Sequence, residues 1–247
     1  MADAYILGGV RTPFARYGSS LSHIRTDDLL GMTMKGACER VGVELGAVED
    51  VVAGCVNPAH EGMGDVGRWA ALAAGFPDSV AGATINRFCG SSLSATINVS
   101  HAIKAGDLGV GMACGVESMS RSGWALMKGD AAFSPRGPVF MLDTMWAGAG
   151  GPPNPALLAR NAYIGMIETA QNVADRYGLT REEIDAFATK CQGGSRFRSA
   201  RQGDHAGDDR GDPQDAGSRL LPRRVHPATT PPPSRWRSCL LSRAPPR

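Results

Sequence analysis

Short apolar runs alternate with stretches of helical spacing through the first half of the chain, and this alternation most narrows the folds available to it. Tyr5 to Val10, Val51 to Val56, Gly82 to Asn86 and Leu108 to Val116 read as strands, the first a buried one ended by Arg11-Thr12-Pro13. Between them, Leu30, Met34, Ala37, Cys38 and Val41 keep helical spacing, with Thr26 or Asp27 placed to cap the start and Gly42 suited to a left-handed end. Trp69, Leu72, Ala73 and Phe76 predict a short helix stopped by Gly75 and Pro77. Ser91 to Ala105 predicts another, small-sided nearly all round and so able to lie deep between layers. Parallel strands need a crossover long enough for a helix, and helices on both faces bury the sheet. The expected class is therefore α/β, with a mainly parallel sheet.

From Arg121 to Arg160 prolines and glycines interrupt Trp124, Phe133, Phe140, Met141, Met145 and Trp146, which predicts an irregular cover held by apolar anchors. Two helices should follow. The first runs near Met166 to Tyr177 and ends at Gly178; the second has Thr180 and Glu183 as a capping box, Leu179 and Ile184 as a staple, and the stripe Ile184, Phe187, Ala188 and Cys191. That stripe stops at Gly193-Gly194.

Composition changes at the same place. Residues 1–192 carry 15 basic and 19 acidic side chains, whereas residues 193–247 carry 11 basic and 5 acidic, so the formal charge of +2 averages two unlike segments. Arg, Pro, Gly, Ser and Asp supply 36 of the last 55 residues, and Lys, Glu, Asn, Ile, Met and Tyr are absent from them. A segment so poor in large apolar groups cannot offset its ordering entropy, which predicts disorder for 193–247. A shifted reading frame through a GC-rich gene would give such a sequence. The resulting expectation is a half-domain over 1–120, a partial cover over 121–192 and a tail over 193–247.

Several function classes are excluded. No window offers the roughly 18 apolar residues of a membrane span, and Met1-Ala2-Asp3 does not open a signal peptide, so a cytoplasmic protein without membrane contact is expected. The six cysteines form no Cys-x-x-Cys pair and have no His-x(3–5)-His partner, which predicts free thiols and no metal site. No nucleotide-binding glycine fingerprint occurs. The arginines of Arg219 to Arg247 have only Trp236 as an aromatic companion and no folded motif, so nucleic-acid binding is not expected.

The chemistry concentrates at Asn86-Arg87-Phe88-Cys89-Gly90-Ser91-Ser92. A strand that turns directly into a helix presents its turn at the helix amino end, where unpaired N–H groups and the dipole favour an anion. A thiol there should ionise more readily, and the thiolate is the nucleophile. Gly90 leaves room for an acyl group beside the sulfur. Cys89 is thus the best nucleophile candidate among the six, against the alternative that a lone cysteine is simply a small packing group. His60-Glu61 reads as a polar loop, Cys114 as packing, and His101 as a structural histidine.

Ile85-Asn86-Arg87-Phe88-Cys89-Gly90-Ser91-Ser92-Leu93, Ile103-Lys104-Ala105-Gly106-Asp107 and Gly115-Val116-Glu117-Ser118-Met119-Ser120 together resemble the N-terminal half of the thiolase family. Arg11-Thr12-Pro13-Phe14 and the run Thr180 to Ala188 do so as well, which carries the resemblance from about Ala4 to Gln192. It implies a thiolase-like layered αβα half-domain ending before the family's second half-domain. It also implies an acyl-CoA C-acyltransferase of fatty acid metabolism in which Cys89 takes the acyl group from one CoA thioester and passes it on. Its backbone N–H would serve the oxyanion, and Met166 would lie beside the acyl pocket. Coenzyme A enters as substrate, no cofactor is implied, and the intact family fold would form a homo-oligomer.

Two departures from the family accompany the match. At Met166-Ile167-Glu168-Thr169-Ala170-Gln171 the chain has Ile and Gln where Gly and Glu are usual. The acid-base groups of the family belong to its second half, and the one His-Pro, at His226-Pro227, lies in the Arg/Pro tail. The alternative expectation is therefore an inactive truncated or frameshifted remnant.

Overall fold

The computed structural model describes residues 3–126, 139, 141–145, 154–160, 164–202 and 238–243. The chain divides into two compact units, Met1–Ala149 with Gly211–Arg247, and Gly150–Arg210.

The first unit is built on a five-stranded sheet. Strand β1 (Ala4–Val10) leads to helix α1 (Thr26–Val41), then β2 (Asp50–Gly54), α2 (Val66–Ala73), β3 (Ala81–Ile85), α3 (Ser91–Ala105) and β4 (Val110–Gly115). β2 pairs in parallel with β3 on one side and β4 on the other. Alternation along β2 and β4 separates two apolar layers. Val51, Ala53, Met112 and Cys114 pack with Leu30, Met34 and Cys38 of α1 and Ala70 and Ala71 of α2, while Val52 and Ala113 face Ala95, Val99 and Ile103 of α3. The result is the expected αβα layering around a mainly parallel sheet.

One stretch of the 193–247 segment is a strand. Strand β7 (Ser238–Arg243) lies inside the sheet, antiparallel to β1 and to β4, in the order β1-β7-β4-β2-β3. Ser-Cys-Leu-Leu-Ser-Arg is short, and backbone pairing on both flanks gives its N–H and C=O groups partners. The remaining tail residues, 203–237 and 244–247, lie outside the described residues, as does His226-Pro227.

β1 is a strand but not a buried one. Tyr5, Ile6 and Leu7 are 51%, 64% and 43% exposed, and only Val10 is buried, because β1 is the sheet edge and pairs with β7 alone among the described residues. α2 likewise starts earlier than the apolar spacing predicts, with Asp65 accepting from Arg68 N–H at 3.4 Å, and it buries Val66, Ala70 and Ala71 while Trp69 faces solvent. Small residues win this face because the helix lies close against β3.

Strands β5 (Trp124–Leu126) and β6 (Met141–Asp143) pair antiparallel within the first unit. Thr144 Oγ1 accepts from Asn57 Nδ2 at 2.6 Å and donates to Gly123 O at 2.7 Å, which ties this segment to the loop after β2. Phe133, Phe140 and Trp146 lie outside the described residues.

The second unit holds helices α4 (Pro155–Arg160), α5 (Met166–Tyr177) and α6 (Arg181–Gln202). Gly178 ends α5 at φ +65°, and Thr180 and Glu183 exchange N–H bonds at 2.9 and 3.2 Å, the predicted capping box. α6 does not stop at Gly193-Gly194 but continues to Gln202.

Candidate active site

The ends of β2, β3 and β4 are in register, with Gly54 opposite Ile85 on one side and Gly115 on the other. The first turn of α3 rests on these ends. A Cβ on Gly54 would come within 2.6 Å of the Ser91 carbonyl carbon, and one on Gly115 would meet Ser92 Oγ and come within 2.9 Å of Gly54 O. Glycine at both positions is what lets the helix start so close to the sheet.

Five residues, Asn86 to Gly90, turn the chain from β3 into α3. Ser91 Oγ accepts from Arg87 N–H at 2.8 Å and donates to Phe88 O at 2.6 Å, and the Gly90 and Ser91 N–H groups donate to Arg87 O and Phe88 O at 3.0 Å each. Phe88 adopts φ +47°. The left-handed region costs a side-chain-bearing residue about 1–2 kcal/mol, so the surrounding bonds hold this turn against an intrinsic preference.

Cys89 follows the strained residue directly and is exposed. The buried thiols are set apart chemically. Burial pushes Cys38 up to about 11, helped by the charge of Glu39, and pushes Cys114 up to about 12. Cys55 also rises to about 12, through burial and then the Glu117 charge. Cys114 packs as expected, with Met34 Sδ 3.8 Å from its sulfur. Cys191, on α6 of the second unit, is the other exposed thiol among the described residues with described side chains.

A cavity of about 500 Å³ opens at the carboxyl ends of β1 and β4, lined among others by Arg11, Phe14, Leu30, Ser92, Thr96 and Val116. Crevices outside the carboxyl ends of strands are the usual ligand sites of α/β sheets. Ser92 and Thr96 bring α3 into its wall, whereas Cys89 itself does not line it.

Met166 opens α5 in the second unit and is 77% exposed, with Ile167 beside it at 88%. Glu168 Oε2 accepts from Gly165 N–H at 2.6 Å, so this helix start is capped by Glu168, while Gln171 stands where the family's Glu is usual. His101 is exposed on α3. Among the described residues no cluster of His, Cys, Asp or Glu could hold a metal ion, and no helix is long and apolar enough to cross a membrane.

Three side chains, Glu61, Glu117 and Asn86, make contacts that went unseen in the sequence. Glu61, expected in a polar loop, is 5% exposed; Arg121 Nε lies 2.8 and 2.9 Å from its two oxygens, and its Oε2 accepts from Thr26 N–H at 2.8 Å. Glu61 therefore caps the Thr26 N–H of α1 from another loop, while Asp27 Oδ1 accepts from Asp28 N–H at 3.1 Å and the N-cap residue Arg25 makes no side-chain cap bond. Burial pushes the Glu61 carboxyl up, but the Arg121 guanidinium and Thr26 N–H outweigh it and hold it at about 2. Glu117 accepts from Val56 and Asn57 N–H, and Asn86 Nδ2 donates to Val56 O. Each partner is about 30 to 60 positions away in sequence, a distance at which no local pattern points to a contact.

Comparison with known proteins gives a consistent result. The family description "Thiolase, N-terminal domain" matches residues 4–202, past the compositional break at Gln192. The chain is 40% identical over 193 residues to the 3-oxoadipyl-CoA/3-oxo-5,6-dehydrosuberyl-CoA thiolase of Escherichia coli K12, covering 78% of this chain and 47% of that protein. It is 34% identical over 194 residues to an acetyl-CoA acetyltransferase of Syntrophomonas wolfei, covering 77% and 46%. Among solved structures, the acetyl-CoA acetyltransferase of Bacillus anthracis superposes with a TM-score of 0.64 at 34% identity, covering 75% of this chain and 45% of that one. The Acat5 thiolase of Ascaris suum, solved with coenzyme A, gives 0.71 at 25% identity, covering 97% and 65%. The chain spans about half the length of the curated relatives it matches. A sheet with α3 seated on its strand ends, an exposed cysteine at that seat and a match over residues 4–202 together place this chain in the thiolase family, of which it carries the N-terminal domain.

Proposed function

We propose that this chain carries the nucleophile of an acyl-CoA C-acyltransferase and that Cys89 accepts the acyl group. The observation that carries the reading is the exposed Cys89 in a hydrogen-bonded turn at the amino end of α3. In the first step the Cys89 thiolate attacks the thioester carbonyl, the tetrahedral oxyanion forms, and its collapse breaks the C–S bond to release CoA as a thiolate. The acyl group then passes to a second acceptor, a CoA thiolate in degradation or an acetyl-CoA carbanion in synthesis. The Cys89 backbone N–H, at a helix start where dipoles already point toward the turn, is the proposed oxyanion donor. Met166 and the second unit are proposed to contact the acyl-CoA, which makes CoA a substrate and leaves no role for a resident cofactor. A homo-oligomer, a cytoplasmic location and no nucleic-acid partner complete the reading.

The second reading, a remnant without turnover, is favoured by the change in composition after Gln192, where the Arg- and Pro-rich segment begins. The two separate cleanly. Incubation with acetyl-CoA, followed by peptide mass spectrometry, is expected to place one acetyl group on Cys89 and none on Cys89→Ala. Thiolysis of acetoacetyl-CoA that is lost in Cys89→Ala establishes full turnover; acylation without thiolysis supports the remnant, and no acetyl uptake overturns the nucleophile assignment.

A further inference from the structure

Hydrogen bonds run without a break from the end of β4 to the residue before Cys89. Glu117 accepts from Val56 N–H at 2.8 Å and Asn57 N–H at 3.3 Å, with Cys55 Sγ 3.8 Å from its Oε1. Val56 O in turn accepts from Asn86 Nδ2 at 2.9 Å, and Asn86 Oδ1 accepts from Phe88 N–H at 3.0 Å. Phe88 holds φ +47° with its side chain 71% exposed, so apolar packing does little to fix the turn on this side. A residue in the left-handed region persists where its surroundings over-determine it, and here polar ties supply that determination.

We propose that Asn86 and Glu117 are positioning residues for Cys89. Glu117 fixes the loop that presents Val56 O, and Asn86 transmits that constraint to Phe88 and so to the orientation of the thiol. The Asn86 carboxamide spends its donor and its acceptor at the same time, which a carboxylate cannot reproduce and a methyl group abolishes. Glu117 lies two residues beyond β4, whose end is in register with β2 through the Gly54–Gly115 pair, so the anchor is the sheet itself. The functional meaning of this tie rests on the reading of Cys89 as the acyl acceptor, but the geometry of the tie does not.

The test uses the full 247-residue chain and five variants: Asn86→Ala, Asn86→Asp, Glu117→Ala, Glu117→Gln and the double alanine variant. Acetyl uptake by Cys89 from acetyl-CoA is timed alongside alkylation of Cys89 and Cys191 by iodoacetamide, with peptide mass spectrometry resolving each thiol. Each alanine variant is expected to slow acetyl uptake at Cys89 by about tenfold or more, since misplacing a reacting group by an ångström costs on the order of 10²-fold. Alkylation of Cys191, in the other unit, should not change. The double variant should lose no more than the worse single one, because both residues act through a single tie. Glu117→Gln, which keeps one acceptor oxygen, should recover part of the rate, and it serves as the folded comparison if Glu117→Ala does not melt cooperatively. Independent, multiplying losses, or uptake unchanged in Asn86→Ala and Asn86→Asp, would overturn the proposal. If the unaltered chain takes up no acetyl group, the acyltransfer reading fails by itself. The tie is then judged by the Cys89-to-Cys191 alkylation ratio, which must shift in Asn86→Ala for the positioning role to stand.

Discussion

Single residues decide both the chemistry and the acid tolerance of the first unit. A Cβ on Gly90 would lie 3.4 Å from Arg87 O, an ordinary contact, and its φ of −92° is open to any residue. Gly90→Ala should therefore leave the melting temperature within about 2 °C, as a change near 0.5 kcal/mol implies, while slowing acetyl uptake at Cys89 by filling the space beside the sulfur. Equal uptake in the variant would remove any steric role for this glycine. Glu61 acts on stability instead. Its folded value of about 2 lies below the ordinary 4.5, so its contribution is complete above pH 4.5 and is lost as pH falls toward 2. Arg121→Ala should cost about 3 kcal/mol at neutral pH by stranding a buried carboxylate, and Glu61→Gln should flatten the stability profile between pH 4.5 and 2; urea titrations across that range measure both. Cys89 was legible at this scale because a strand-to-helix turn is a local pattern. Glu61, Glu117 and Asn86 were not, because each acts on a partner that only folding brings near.

Elements show how far periodicity carries. α3 occupies the span its pattern predicts, Ser91 to Ala105, and buries Ala95, Val99 and Ile103. Its seat, however, depends on two glycines in strands. Gly115→Ala should push α3 off the strand ends and destabilise the unit by about 1–3 kcal/mol, the usual cost of overpacking, with hydrogen exchange in α3 rising before that in α2. Equal protection in the variant would show that the helix start can move without loss. β7 was hidden for the opposite reason. Its segment lies in a run rich in Arg and Pro, and backbone pairing on both flanks gives it a place. Leu240→Pro removes a ladder N–H from this central strand, which should free β1, since β7 is its only pairing partner among the described residues. Faster amide exchange over Ala4–Val10, with β2 and β3 unchanged, is the expected signature.

At the scale of the whole molecule, the alternation of strand and helix was enough to specify an α/β unit with a mainly parallel sheet, because hydrophobic period is a property of neighbouring residues. The same local logic read β1 as buried. Tyr5, Ile6 and Leu7 are apolar, but the strand's place at the sheet edge leaves them in water, together with Phe14 and Tyr17 at 88% and 74% exposure. Apolar surface of this kind favours association, so sedimentation of the purified chain should show concentration-dependent self-association that weakens in Ile6→Lys; a monomer at all concentrations would show that this edge is inert. The sequence by itself determined the class of fold, the order of β1 to β4 with their helices, and the cysteine that stands at the turn into α3, all through patterns a few residues long. Only the tertiary structure decided that a tail strand enters the sheet, that Glu61 caps a helix from another loop, and that Glu117 reaches the turn through Val56 and Asn86, because hydrogen bonds between distant segments leave no periodic mark on the chain that makes them.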